Sequence, residues 1–157
     1  MHSYSFNPVS KNVAPGDVYF IVAASIKADI ETVWNNAIKA VNVKKYFTTD
    51  SLNDLETLGE VLWVWGDETA LIEVDEVEQL RKISFHWNAP FVDYAVRTEF
   101  TFEESNGRVN VKIKESGWLF DVYGIKSSYA NCSGWTEYLC ALRVFTEFGI
   151  SFFNSGK

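Results

Sequence analysis

A carboxylate on an otherwise apolar strand face is the feature of this sequence with the clearest chemical content. Val109, Val111 and Ile113 alternate with Asn110, Lys112 and Lys114, and the same parity puts Glu115 on the apolar side. Burying a carboxylate is costly unless it is hydrogen-bonded or protonated, and burial raises its pKa. Such a group can act as a general acid or base, or as a polar anchor for a ligand. The competing reading ends or bulges the strand at Ser116-Gly117, so that Glu115 reaches water at the rim.

Aromatic rings accompany that carboxylate. Trp63, Trp65, Phe85, Trp87, Phe100 and Phe102 share the inward parity of their strands. Trp135, Tyr138, Leu139 and Leu142 recur at helical spacing and form a facing wall. These ten residues and Glu115 are the candidate ligand-binding set. The chain holds 6 Trp, 7 Tyr and 12 Phe, 16% of its residues. Rings fill cores and line apolar pockets equally well, and this many tilts the reading toward a cavity for a flat or ring-bearing molecule. The helix wall must be buried with or without a ligand.

Other chemistries find little support. His86 falls on the polar parity of its strand beside Ser84 and Asn88, and His2 is far away near the start. Cys132 and Cys140 form no CxxC pair, and Cys140 is expected as a small core residue. No metal-ligand cluster and no cofactor are expected. GxGxxG, GxxxxGK[ST] and GxSxG are missing, which disfavours nucleotide-driven chemistry and the common serine hydrolase design. The net charge of −7 argues against nucleic acid and anionic membrane surfaces as partners. No run approaches the ~18 apolar residues of a membrane span, so stable membrane insertion is not expected. The start of the chain shows no secretory signal pattern, and two cysteines make no disulfide framework. The expectation is a cytoplasmic protein.

The elements that must hold these residues follow from periodicity. Residues 1–17, with Pro8, Pro15 and Gly16, read as an N-terminal tail or edge segment. Residues 18–26 read as a strand. Residues 28–40 read as a helix capped by Asp29, with Ile30, Val33, Trp34, Ala37, Ile38 and Val41 recurring on one face. A short second helix or turn is expected over 43–47. From Gly59 the period changes to two and predicts about five strands through Glu115, with hairpin turns at Gly66-Asp67 and Asn106-Gly107. Arg97, Glu99, Lys112 and Lys114 fall on the outer face. Residues 117–132 read as a long loop. Ser133 then reads as the N-cap of a last helix that stops at Gly149, and 151–157 as a C-terminal tail. One domain over 18–150 is expected. The only long amphipathic element left to cover a curved antiparallel sheet is the last helix, so the fold class is α+β with a helix-grip arrangement.

Three phrases carry a resemblance to known proteins. Ser25-Ile-Lys-Ala-Asp-Ile-Glu-Thr-Val-Trp34 resembles the first strand and helix of START-like (SRPBCC, or birch-pollen-allergen-like) domains. Glu115-Ser116-Gly117-Trp118 and Gly134-Trp135-Thr-Glu-Tyr-Leu139-Cys-Ala-Leu142 resemble the last strand and last helix of the heat-shock-chaperone ATPase activator homologues in that superfamily. The similarity spans roughly residues 18 to 150. Tyr46 and Phe47 stand where that group's pattern would be Trp-rich, and the 117–132 connection is long for it. Both segments would border a cavity mouth. The resemblance implies a cavity between sheet and helix that takes lipids, polyketides, hormones or other apolar molecules. It covers carriers, cyclases and co-chaperone domains, so it implies a fold rather than a function.

Three functions are therefore carried forward. The first is non-enzymatic binding of a small apolar or aromatic molecule. The second is a cyclase, dehydratase or hydrolase using Glu115 in the same cavity. The third is regulation of a chaperone ATPase, resting on the resemblance alone. A homodimer is compatible with all three.

Overall fold

The computed structural model describes residues 8–10 and 16–151. The expected terminal segments 1–17 and 151–157 fall mostly outside the described residues, and His2 lies outside them altogether.

Within the described residues seven antiparallel strands form one curved sheet in the order β1-β7-β6-β5-β4-β3-β2. They are β1 (Val18–Ile26), β2 (Asp50–Leu52), β3 (Gly59–Trp65), β4 (Glu68–Glu78), β5 (Lys82–Asn88), β6 (Ala95–Ser105) and β7 (Arg108–Trp118). Helices α1 (Ile30–Ile38) and α2 (Ala40–Tyr46) follow β1, and α3 (Val122–Phe148) ends the fold. This is the expected helix-grip architecture. β3 to β7 are the predicted meander; the three-residue β2 is too short to show a period and was not foreseen.

Local chemistry explains most boundaries. The Asp29 carboxylate accepts from the Thr32 N–H at 2.7 Å and caps α1. The expected 28–40 helix is divided, because Lys39 is extended (ψ 128°) and the Ala40 N–H turns to Asp54 Oδ1 at 2.7 Å. Asn106 and Gly107 both take positive φ (54° and 73°), as a two-residue type I′ hairpin demands. Along β7 the alternation is clean: Val109, Val111, Ile113 and Glu115 are buried, while Asn110, Lys112 and Lys114 are exposed. The irregularity suspected at Ser116-Gly117 exists. Val18 pairs with Trp118 and Tyr19 with Ser116, which leaves Gly117 as a bulge at φ 115°. The strand runs through it, so Glu115 is not released to the rim.

Two expectations about the end of the chain need correction. Residues 117–132 are not a long loop: β7 continues to Trp118, and α3 starts at Val122 with Asp121, not Ser133, as N-cap. The Asp121 carboxylate accepts from the Gly124 N–H at 2.7 Å. The first turns of α3 bury Gly124, Ser127 and Ser128, a stripe with no apolar period to read. Gly124 is needed there, since a Cβ would sit 2.1 Å from the Leu119 carbonyl oxygen. Cys140 is exposed rather than a core residue, because Leu139 and Leu142 take the inward face on either side of it.

Candidate functional site

Glu115 pairs across the sheet with Phe20 on β1 and Thr98 on β6, and it has no exposed surface. Four side chains donate to it. The indole N–H groups of Trp87 and Trp135 reach Oε2, each at 2.9 Å, and the Thr98 hydroxyl reaches the same oxygen. Asn131 Nδ2 reaches Oε1 at 2.7 Å. Trp87 comes from β5, and Asn131 and Trp135 lie one helical turn apart on α3, so the carboxyl group ties sheet to helix. All four donors are neutral. Burial pushes the carboxyl above the ordinary carboxylate value, and the bonds from Thr98, Trp135, Asn131 and Trp87 offset only part of that.

A cavity of about 140 Å³ lies beside this network, lined by Phe47, Trp63, Trp65, Trp87, Asn131, Gly134 and Trp135. Its walls are rings set edge to face. Centroids are 5.7 Å apart for Phe47–Trp63, 5.5 Å for Phe47–Trp65 and 5.9 Å for Trp63–Trp65. Typical small-molecule sites measure ~300–1,000 Å³. This one is closer to the ~150 Å³ apolar cavity that admits a single benzene ring. Rings pack around it, and among the described residues they leave a ring-sized space.

The structure sorts the eleven predicted site residues. Trp63, Trp65, Trp87 and Trp135 line the cavity. Phe85, Phe100 and Tyr138 pack behind them, with Phe100 5.2 Å and Tyr138 5.4 Å from Trp135. Phe102 packs on Trp34 at 4.9 Å, and Leu139 and Leu142 belong to the same buried cluster without reaching the cavity wall. Glu115 sits behind the wall, touching three of its members. Sequence reasoning missed Thr98, Asn131 and Gly134. Thr98 shares strand parity with Phe100 and Phe102, and Asn131 stands four residues before Trp135, so both carried a signal. Phe47 follows the end of α2, in one of the two segments that depart from the family pattern, and it does border the mouth.

Other candidates stay apart. His86 Nδ1 lies 2.8 Å from Asp75 Oδ2, on the opposite side of β5 from Phe85 and Trp87. Among the described residues no group of His, Cys, Asp and Glu could hold a metal ion.

The family described as Activator of Hsp90 ATPase homolog 1-like protein matches residues 27–147. The chain belongs to that family. Membership in the activator homologue family places it in the START-like superfamily. No curated protein matches the sequence. Solved structures share its fold. Protein SSP2350 from Staphylococcus saprophyticus is 22% identical with a TM-score of 0.73, over 86% of this chain and 96% of that one. The Aha1 dimer from Colwellia psychrerythraea is 16% identical with a TM-score of 0.69, over 84% and 98%. DynU16, described as a putative protein in the dynemicin biosynthetic locus, is 20% identical with a TM-score of 0.72 over 83% of this chain. The match covers 48% of DynU16, so the chain spans about half its length. These likenesses establish a shared fold, and activator-homologue membership supports a cavity domain of ligand-binding type in general.

Proposed function

We propose that this domain binds a small, flat, apolar molecule in the aromatic cavity between β3, β5 and α3, without transforming it. The observation that carries this reading is the ring-sized space walled by aromatic side chains. Two of its walls, Trp87 and Trp135, are pinned through their N–H groups to Glu115, so the space is preorganised. Enzymatic use of Glu115 fits less well. A general base must reach the proton it removes, whereas Glu115 lies behind the wall and spends its oxygens on four protein donors. Titrating benzene or toluene while following indole fluorescence and melting temperature tests the reading. Saturable fluorescence change with concentration-dependent stabilisation is expected. Absence of both would remove it.

A second reading, protein association, is favoured by a separate surface. Phe120, Val122 and Tyr129 are 88%, 75% and 71% exposed around a shallow apolar groove at the start of α3. Exposed apolar patches of this kind mark contact sites. The Colwellia relative is described as a dimer, and the family is named for activation of a chaperone ATPase. Sedimentation of the wild type against a Phe120→Ser, Tyr129→Ser double variant tests self-association, and the ATPase rate of an Hsp90-type chaperone tests the other partner. A monomeric wild type with no effect on that rate would dispose of it. We place the protein in the cytoplasm on the strength of its unpaired Cys132 and Cys140. Among the described residues no helix is long and apolar enough to cross a membrane.

A further inference from the structure

The cavity wall is not uniformly apolar, and its one amide has a fixed sense. Asn131 lines the cavity and donates through Nδ2 to Glu115 at 2.7 Å. The Nδ2 bond to Oε1 turns the NH2 of the amide toward Glu115; with no proton on Oε1 the reverse sense would set two acceptors face to face. Oε2 is already taken by Trp87, Trp135 and Thr98, which leaves Oε1 to Asn131. The other end of the amide, Oδ1, has no donor among the described residues. It is not sealed in the interior either, since Thr48 Oγ1 is the one fully buried side-chain polar atom there without a partner. Because Asn131 lines a ring-sized apolar cavity, an acceptor left at this end of its amide is a recognition element for a molecule bound there. Of the four indoles on the wall, Trp87 and Trp135, the two next to Asn131, spend their N–H groups on Glu115.

We propose that the cavity selects a single-ring ligand bearing a hydrogen-bond donor, which Asn131 Oδ1 accepts, and that Glu115 is the positioning residue that sets the sense of the Asn131 amide. This rests on the cavity-binding reading above and adds the chemical class of its ligand. A ring with an N–H in its plane satisfies both the apolar walls and the amide oxygen. A ring with only a lone pair places acceptor against acceptor and leaves both unpaired.

Pyrrole, pyridine and benzene, followed by indole fluorescence at pH 8, separate the cases. Pyrrole only donates, neutral pyridine only accepts, and benzene does neither. Wild type should bind pyrrole about tenfold more tightly than pyridine, the ratio that one satisfied hydrogen bond yields. Asn131→Leu should bring that ratio close to one while benzene still binds. Glu115→Gln supplies the stronger arm and protects the test if Asn131→Leu fails to fold. Its amide can keep its oxygen on Trp87, Trp135 and Thr98 and offer its NH2 to Asn131, which must then reverse and present Nδ2 to the cavity. The preference should swing toward pyridine. If benzene binds wild type but the pyrrole-to-pyridine ratio is near one, or is unmoved in both variants, the donor selection is wrong and the cavity reading survives. If none of the three rings binds wild type, the cavity reading fails and takes this proposal with it.

Discussion

Among the described residues two carboxylates accept hydrogen bonds from tryptophan indoles, and their pKa values move in opposite directions. Glu115 sits between sheet and α3 with Trp87, Trp135, Thr98 and Asn131 as donors. Glu56 sits in the turn between β2 and β3, where Trp34 and Gln79 each donate at 3.2 Å. Burial acts on both. At Glu56 the Lys39 ammonium hydrogen-bonds Oε1, and together with Trp34 and Gln79 it outweighs burial and holds the carboxyl below its ordinary value. At Glu115 four neutral donors do not outweigh burial, and the carboxyl stays above it. Indole N–H groups satisfy a carboxylate geometrically without compensating its lost hydration; a cation does compensate. Glu56 ties the β2–β3 turn to α1 through Trp34, to the α1–α2 junction through Lys39 and to the β4–β5 turn through Gln79. Glu115 is poorly explained by stability alone, since packed apolar residues often replace a buried charge without loss. Its distinctive effect is to fix the orientation of three cavity-wall side chains.

The largest break in this contrast comes from Trp135→Ala. It deletes a ring that is 3% exposed and one of the donors to Glu115. A loss of about 3–5 kcal/mol in urea unfolding is expected, and a loss under ~1 kcal/mol would mean the ring is not part of the packed interior. Next comes Thr98→Val, nearly isosteric, which removes one donor to the sealed carboxyl and should cost about 1–3 kcal/mol. The matching change at the rim, Gln79→Met, removes a donor from Glu56 next to water and should stay within ~0.5 kcal/mol. Equal losses would erase the distinction between the two sites.

The third break is a slope. The native pKa of Glu115 lies above its unfolded value, so its contribution is fully present below the unfolded value and is lost as pH rises through the native one. The stability of wild type relative to Glu115→Gln should therefore decline as pH climbs from about 4. Glu56 has the opposite sign: its native value is lowered, so its contribution is present above the unfolded value and is lost as pH falls through the native one. Wild type relative to Glu56→Gln should gain stability with rising pH over the acid range. Denaturant unfolding between pH 3 and pH 8 reads both, and slopes of the same sign would overturn the comparison.

The two halves of α3 show why the sheet and part of the site were legible in the sequence and the rest was not. Trp135, Tyr138, Leu139 and Leu142 form an apolar stripe, and the strands facing them alternate in hydropathy, so parity put Glu115 on the apolar face and left open only whether the strand ended there at the rim. The first half of the helix buries Gly124, Ser127 and Ser128, whose burial comes from close approach and from the Trp118 indole donating to Ser127 Oγ at 2.8 Å. Small polar residues on a buried stripe leave no hydrophobic period, and the segment reads as loop. Asn131 falls in that unread half, which is why the one amide of the cavity wall escaped notice. Ring exposure was not legible either. Parity puts Phe102 and Trp65 on the same side of the sheet, and only the packing of α1 decides that Phe102 meets Trp34 while Trp65 borders the cavity.

The smallest expected effect sharpens the contrast most, because it converts one site into the other. Lys39 is 35% exposed at its side chain and also lies 3.7 Å from Asp54, so its pair with Glu56 is screened by water. Lys39→Met should cost about 1 kcal/mol or less, and less still at high salt. The titration of Glu56 should change more than the stability does. Without the ammonium, burial faces only the Trp34 and Gln79 donors, which is the situation of Glu115, and the carboxyl should move from below its ordinary value to above it. Carboxyl NMR titration of Glu56 in Lys39→Met follows that crossing directly. A Glu56 that still titrates low would mean that the indole and amide donors suffice, and the raised value at Glu115 would then have to come from its complete seclusion rather than from the lack of a cation.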